Sequence, residues 1–226
     1  APVDAATASG CTAVHEAAYK GHKGVLKMLL DAHASLTAVA NGCTALSCAA
    51  QQGHIAVMQL LLSAQAPVDA AGGRGFTAMH WAVQRGQAAA VQLLLDMHAA
   101  VDAAADDGCT ALHWAAQQGN CKMVQLLLGG QGGQASVDTA AGRGYTALHY
   151  AAQKCHTAMI QQLLNAQAAV DAAADDGRTA LQIAAQQGDK AVVQFLLKAQ
   201  AAVSAADADG STALQMAAQE GHTAVL

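Results

Sequence analysis

The chain has 226 residues and a net charge of −5, and although 54% of its residues are hydrophobic only 12% are charged. Such sparse charge provides no basic stripe that could follow a phosphate backbone, so nucleic acid is not an expected partner. No apolar run reaches the roughly 18 residues of a membrane-spanning helix, so membrane insertion is not expected either. The given sequence also does not open with a basic segment followed by an apolar one, the pattern of a signal peptide.

The first nine residues have the sequence of the end of a repeating unit, because Ala1–Ala6 is identical to Ala66–Ala71. Beyond them, Gly-x-Thr-Ala opens seven units, with threonine in the third column at Thr12, Thr44, Thr77, Thr110, Thr146, Thr179 and Thr212. The successive intervals are 32, 33, 33, 36, 33 and 33 residues, which indicates a solenoid built of repeats. We therefore predict a single array, 1–226, with repeats at 10–41, 42–74, 75–107, 108–143, 144–176, 177–209 and an incomplete 210–226.

The fourth repeat shows the local structure that each repeat is predicted to form. Thr110 can cap a first helix through its hydroxyl, and Gly119 ends that helix. Its buried side would hold Ala111, Leu112, Ala115 and Ala116. A second helix would bury Val124, Leu127 and Leu128, and the same columns hold Val91, Leu94, Leu95 and Val193, Leu196, Leu197. The Asp-Asp-Gly, Asn-Gly and Gly-Arg-Gly stretches between repeats predict turns or hairpin-like fingers.

An insertion separates the fourth and fifth repeats, where three extra residues fall within Gly129–Gln134. A glycine-rich stretch after a second helix is typical of a flexible surface loop. The simpler interpretation is a tolerated insertion without a role of its own.

The repeated residues resemble the ankyrin-repeat family, whose units open with Gly-x-Thr-Pro-Leu-His, continue with Ala-Ala and Gly-His, and end with Leu-Leu-x-x-Gly-Ala. The resemblance covers essentially the whole chain and implies an all-α solenoid of helix-turn-helix repeats. Alanine replaces the family's proline in every copy, at Ala13, Ala45, Ala78, Ala111, Ala147, Ala180 and Ala213. The glycine after the second helix is also replaced, by His33, Gln65, His98, Gln134, Gln167 and Gln200. Both departures are expected to lower stability and to leave the fold unchanged.

Five of the chain's seven aromatic residues fall in repeats three to five, namely Phe76, Trp81, Trp114, Tyr145 and Tyr150. The resemblance implies that their columns line a concave groove that binds partners, and large aromatic residues are common interface anchors. The flanking polar candidates are Arg74, Arg85, Arg143, Lys154, Gln117 and Gln118. Arginines beside apolar anchors suit a peptide that carries acidic residues. The alternative is that these rings merely pack between neighbouring first helices.

The histidines share columns of the repeat, and this spacing argues against a metal site. His15, His80, His113 and His149 share the motif column, and His22, His54, His156 and His222 share the column at the start of the second helix. Packed helices are about 8–10 Å apart, whereas a zinc–nitrogen bond is about 2 Å long. We interpret these imidazoles as structural, and no metal or cofactor is expected. The chain has no Gly-x-Ser-x-Gly motif and no phosphate-binding glycine-rich loop, so it is not expected to be an enzyme.

The six cysteines contain no Cys-x-x-Cys pair, and Cys11, Cys43 and Cys109 share one column of successive or nearby repeats. Stacked helices hold such positions too far apart for a disulfide. Reduced thiols are typical of an intracellular, cytoplasmic protein.

Two functions remain open from the sequence. The first is a non-enzymatic recognition module that binds a partner protein or peptide in the groove, chiefly through repeats three to five. The alternative is an architectural spacer or scaffold segment of a larger chain or assembly, with distributed contacts. Aromatic clustering favours the first, whereas the ends favour the second, because residues 221–226 match the start of a second helix and neither end has a capping repeat. The natural polypeptide is expected to extend beyond both ends.

Overall fold

The computed structural model describes residues 2–129 and 134–225, and no β-strand occurs within these ranges. They contain thirteen α-helices: α1 Ala13–Lys20, α2 Lys23–Asp31, α3 Ala45–Gln52, α4 Ile55–Ser63, α5 Ala78–Gln84, α6 Ala88–Asp96, α7 Ala111–Gln118, α8 Cys121–Gly129, α9 Ala147–Gln153, α10 Thr157–Asn165, α11 Ala180–Gln187, α12 Lys190–Lys198 and α13 Ala213–Gln219. Two 3-10 helices lie at Gly73–Gly75 and Gly142–Gly144. The predicted all-α fold is confirmed, and most of the glycine-rich insertion, 130–133, lies outside the described residues.

The first helix of every repeat begins at the alanine that follows the repeat threonine, as predicted. The threonine before it is extended, with φ −88° and ψ 174° at Thr77 and φ −89° and ψ 170° at Thr146. At Thr44 the hydroxyl accepts a hydrogen bond of 3.1 Å from the backbone N–H of Ser47. This bond satisfies one of the amide groups that have no partner within the helix.

The helices end at residues in the left-handed conformation. Gly119 follows α7 with φ +68°, as predicted, whereas the corresponding residue of the fifth repeat is Cys155 with φ +58°. After the second helices, positive φ values occur at His33, Gln65, His98, Gln167 and Gln200. Five of the six residues that replace the glycine therefore adopt the conformation that glycine favours, and we expect this to cost roughly 1–2 kcal/mol at each position.

The first of two compact units comprises the chain up to Ala111 together with residues at the insertion. Within it, α1, α3 and α5 pack side by side, and α2, α4 and α6 pack against them in a second row. The largest fully buried side chains there are Leu26, Leu46, Met58, Leu61, Met79, Leu94 and Leu95. Alanines of the first helices, such as Ala49 and Ala82, are also fully buried, which permits close approach of the helix axes.

The second compact unit runs from Leu112 to the end of the chain, apart from the insertion. Here α9, α11 and α13 pack side by side, while α10 and α12 form the second row. The predicted apolar face of the second helix is wrong for Leu197, which is 40% exposed. The reason is that Leu197 lines an open hollow with Val203 and Leu214, where no further second helix packs on α12 in the described part of the chain.

The predicted fingers are present as tight turns that hydrogen-bond to one another within each unit. In the first unit the N–H of Gly73 donates to the carbonyl of Gly42 at 3.0 Å, and the N–H of Asp106 donates to that of Arg74 at 3.0 Å. In the second unit the N–H of Asp175 donates to the carbonyl of Arg143 at 3.0 Å. The fingers therefore project arginines from a backbone that is fixed by its neighbours.

No helix within the described residues has the length and apolar character required to cross a membrane.

Candidate functional site

In repeats three and five, two aromatic side chains five residues apart connect the finger to the first helix. The first member precedes the cap threonine and the second lies in the first turn of the helix, at the two positions of a hydrophobic staple. In the third repeat the rings of Phe76 and Trp81 lie 5.4 Å apart, edge to face. In the fifth repeat the rings of Tyr145 and Tyr150 lie 5.7 Å apart. Four of the five predicted aromatic residues are thus brought together in two pairs by the local geometry of the repeat.

In the first unit, Phe76 and Trp81 differ in accessibility. Phe76 is only 7% exposed and stacks on His80, with ring centroids 5.3 Å apart. Trp81 is half-buried, and its buried indole N–H has no hydrogen-bond acceptor among the residues that the structure describes. A partner could therefore contact Trp81 directly, whereas Phe76 is buried and packs against the indole within the chain.

Two cations of the first unit stand beside this pair. Arg74 is exposed at the finger turn, with φ +63°, and Arg85 is exposed at the residue that follows α5. Neither forms an ion pair with another described residue. Both guanidinium groups are consequently available to a carboxylate.

In the second unit, Tyr145, Tyr150 and Trp114 are half-buried. Tyr150 also lies edge-on to the imidazole of His113, with centroids 5.7 Å apart and planes inclined by 81°. Part of each tyrosine ring therefore packs within the repeat and part remains accessible. That all five aromatic residues form one strip stays a prediction.

The polar candidates of the second unit occupy the finger and the ends of the first helices. Arg143 and Lys154 are exposed and, within the described ranges, form no ion pair. Gln118 is exposed, while Gln117 is half-buried and its carbonyl lies 3.2 Å from the Nε2 atom of His156. By contrast, Arg178 lies 3.7 Å from Asp176 and 3.8 Å from Asp207. Arg143 is thus available for binding, whereas Arg178 is occupied within the chain.

The repeat histidines use both ring nitrogens in structural hydrogen bonds, as predicted. His80 Nδ1 accepts a bond of 3.2 Å from the N–H of Thr77, and Nε2 donates to the carbonyl of Cys109 at 3.1 Å. His149 makes equivalent contacts with Thr146 and Arg178. In the described part of the chain, no group of three or more metal-ligating side chains comes together.

Burial lowers the pKa of His80 and of His149, and the backbone carbonyls that accept from their rings oppose this shift. The neutral imidazole is the form that the repeat stabilises. In the sixth repeat Gln182 takes the same place, with Oε1 accepting from the N–H of Thr179 at 2.7 Å and Nε2 donating to the carbonyl of Ser211 at 2.7 Å. An uncharged amide thus replaces the imidazole with the same pattern of donor and acceptor.

A cavity of about 350 Å³ in the first unit was not predicted from the sequence. Its lining includes Cys11, Glu16, Tyr19, Cys43, Cys48 and Trp81. The sequence predicts that repeats one and two are framework, because their join is one residue short and their first helices carry Tyr19, Lys20, Gln51 and Gln52. One feature of the sequence points to this cavity. The two columns that hold Phe76 and Trp81 in the third repeat hold Cys43 and Cys48 in the second repeat.

Comparisons with known proteins agree with the observed helix pairs. A sequence model described as ankyrin repeats (3 copies) matches residues 1–72, 64–139, 131–207 and 148–226. The crystal structure of the human ASB11 ankyrin repeat domain is similar, with a TM-score of 0.79, 26% identity and coverage of 94% of this chain and 96% of that chain. The ankyrin repeat domain of Bcl-3, a member of the IkappaB protein family, has a TM-score of 0.82, 28% identity and coverage of 92% and 94%. No curated protein sequence matches the chain.

Proposed function

Since the chain belongs to the ankyrin-repeat family, we propose that it binds a partner protein or peptide through the first-helix and finger surfaces of repeats three to five. Ankyrin repeats mediate protein–protein interaction and are typically non-enzymatic. The observation that carries the finer proposal is the set of half-buried aromatic rings beside unpaired cations in these repeats.

In the first unit, Trp81 is the expected anchor. An indole buries a large apolar area at little cost in conformational entropy, and tryptophan and arginine are enriched among residues that dominate binding energy. The buried indole N–H of Trp81 lacks an acceptor, and an unmet buried donor costs about 1–3 kcal/mol. A small shift of the ring would let a carbonyl or carboxylate oxygen of the partner accept a hydrogen bond from the indole N–H. Binding would then remove the free-energy cost of this unpaired donor.

In the second unit, Trp114 and Tyr150 are the expected anchors, with Arg143 and Lys154 as the flanking cations. Tyr150 is held by Tyr145 and His113, so little side-chain freedom is lost when it is covered. Preorganised side chains of this kind lower the entropic cost of association.

The partner is expected to present apolar side chains with acidic residues between them. Guanidinium groups bind carboxylates in a bidentate manner, and the exposed Arg74, Arg85 and Arg143 have no competing carboxylate within the described residues. Because the chain has a net charge of −5, a uniformly acidic partner would be repelled, whereas scattered acidic residues would meet these local cations.

The experiment is a quantitative pull-down of the partner from a lysate with the wild-type chain and with Trp81→Ala, Trp114→Ala and Gln187→Ala. Gln187→Ala is the control, because Gln187 is exposed at the end of the first helix of the sixth repeat, outside the proposed binding surface. Loss of the same captured protein with both tryptophan variants, and its retention with Gln187→Ala, would support the proposal. Equal capture by all folded variants, checked by circular dichroism, would favour an architectural segment with distributed contacts.

A further inference from the structure

The thiols of Cys43 and Cys48 lie against one another on the wall of the cavity in the first unit. Cys43 precedes the cap residue Thr44, and Cys48 lies in the first turn of α3, so they occupy the staple positions that Phe76 and Trp81 fill in the next repeat. The two side chains interact through a hydrogen bond between their thiols. Both are free thiols and are only 8% and 9% exposed.

Two more familiar roles of a cysteine pair are not realised here. Cys43 and Cys48 are free thiols in this structure and form no disulfide with each other. A metal site of three or more ligands is not formed among the described residues, although Cys11 lines the same cavity. Cys11 is instead held by Glu16, with its Sγ atom 3.3 Å from Oε1.

One bridging atom, in contrast, suits two sulfur atoms at hydrogen-bonding distance. Such an atom must form two bonds to sulfur, and it must carry a substituent small enough for a cavity of about 350 Å³. We propose that Cys43 and Cys48 form a dithiol site that binds a trivalent, thiophilic electrophile, of which an organic arsenical is the representative probe.

The reaction with phenylarsine oxide involves no change of oxidation state. The sulfur of Cys43 attacks arsenic first, and the sulfur of Cys48 then forms the second arsenic–sulfur bond. The arsenic–oxygen bonding is replaced by these two bonds, and the two thiol protons leave with the oxygen as one water molecule.

The electrostatics of the pair set the order of attack. The hydrogen bond from Cys48 lowers the pKa of the Cys43 thiol, while burial opposes this shift. The same hydrogen bond, together with burial, raises the pKa of the Cys48 thiol. Because the thiolate is the nucleophile, Cys43 is the first to react, and Cys48 closes the ring once Cys43 has lost its acceptor role.

The chain supplies its own comparison sites. In the fourth repeat, Cys109 corresponds to Cys43, but the residue that corresponds to Cys48 is Trp114. Cys11 lines the same cavity as the pair but has Glu16 as its neighbour. A reagent that needs two sulfur atoms should therefore distinguish the pair from both of these single thiols.

The test treats the full, reduced chain with phenylarsine oxide, washes it with an excess of a monothiol, and locates the arsenic by mass spectrometry after trypsin digestion. Residues 28–74 form one tryptic peptide that contains Cys43 and Cys48 and no other cysteine. We expect one phenylarsenic group on this peptide, retained through the monothiol wash and released by a dithiol. Cys43→Ser and Cys48→Ser should each lose the retained group, and Cys11→Ser should keep it.

A second measurement needs no variant and so does not depend on the folding of the cysteine mutants. Wild-type chain treated with the arsenical, and an untreated sample, are denatured and alkylated with N-ethylmaleimide, and the modified cysteines are mapped. Protection of both Cys43 and Cys48 in the treated sample only, with Cys11 and Cys109 alkylated in both samples, would support the site. Alkylation of either member of the pair in the treated sample, retention of arsenic by Cys48→Ser, or loss of arsenic in folded Cys11→Ser would overturn it.

Discussion

At the scale of single residues, the buried imidazoles make the stability of the repeats depend on pH. Burial lowers the pKa of His80 and His149 below that of the unfolded chain, which is about 6.5. Between the two values the unfolded state binds more protons, so stability rises with pH. The contribution of these residues is complete above about pH 6.5 and is lost as the pH falls below that value. We therefore expect the urea midpoint to be lower at about pH 5.5 than at about pH 7.5.

The matched variant for this prediction is His80→Gln, because Gln182 already performs the same bonding in the sixth repeat. The amide does not titrate, so the variant should show a smaller fall in midpoint over the same pH interval. An unchanged pH dependence would show that other groups, and not the imidazole of His80, carry the effect.

Cys155 is the one residue with a Cβ atom at the end of a first helix where other repeats use glycine, as at Gly53, Gly119 and Gly188. At φ +58° its Cβ atom is strained, and Cys155→Gly should raise the free energy of unfolding by about 1 kcal/mol, less the greater entropy of glycine in the unfolded chain. The measurement is the denaturant midpoint. Cys155→Ala is the control, since it removes the thiol and keeps the strain, and an equal gain in both variants would contradict the explanation.

The neighbour of this position explains why cysteine is tolerated there. A Cβ atom added at Gly119 or Gly188 would lie within 3 Å of the imidazole of His156 or His222. The thiol of Cys155 instead faces the shorter Asp189, whose carboxylate accepts its hydrogen bond and, with burial as the larger cause, raises the pKa of the thiol. A residue with a Cβ atom is therefore compatible with position 155 because the side chain that faces it from the next repeat, Asp189, is smaller than a histidine.

At the scale of the helices, the starts could be predicted from the sequence because they depend on local chemistry. The extended cap threonine and the following alanine fix where α5 and α9 begin. Burial was harder to predict, because it depends on the next element in space. Leu197 has the apolar spacing of a core residue and is nevertheless exposed, since no second helix covers it in the described residues.

The helix starts lead to a stability prediction for proline. Thr77 and Thr146 already have the extended conformation that precedes proline, and the first helical position needs no backbone donor. Ala78→Pro and Ala147→Pro should each raise the free energy of unfolding by about 0.4–1 kcal/mol. The measurement is chemical denaturation monitored by circular dichroism. Ala82→Pro, inside α5, is the contrasting variant and should lower stability by about 3 kcal/mol.

A fall in midpoint for both Ala78→Pro and Ala147→Pro would mean that the N–H groups of these alanines have acceptors, contrary to their assignment as first helical residues.

At the scale of the whole molecule, the fold was predictable because one sequence pattern recurs seven times. Each copy has the same types of residue in the same columns, so each copy independently indicates the same pair of helices. The site was only partly predictable. Trp81 and Tyr150 lie in the first turns of α5 and α9, and their role in binding stays a prediction. The burial of Phe76 against His80 depends on ring stacking that a column does not specify. The cavity beside Cys43 and Cys48 does not follow from the aromatic pattern, because thiols occupy the same columns in the second repeat.

The central claim is that aromatic residues of repeats three to five anchor a partner, and the most direct test is the dissociation constant of the captured partner, measured by titration calorimetry. Trp81→Ala and Trp114→Ala should each weaken binding by about 2 kcal/mol, which is about 30-fold, whereas Gln187→Ala should change it by less than about 2-fold. Unchanged affinity in both folded tryptophan variants, or an equal loss in Gln187→Ala, would contradict the claim.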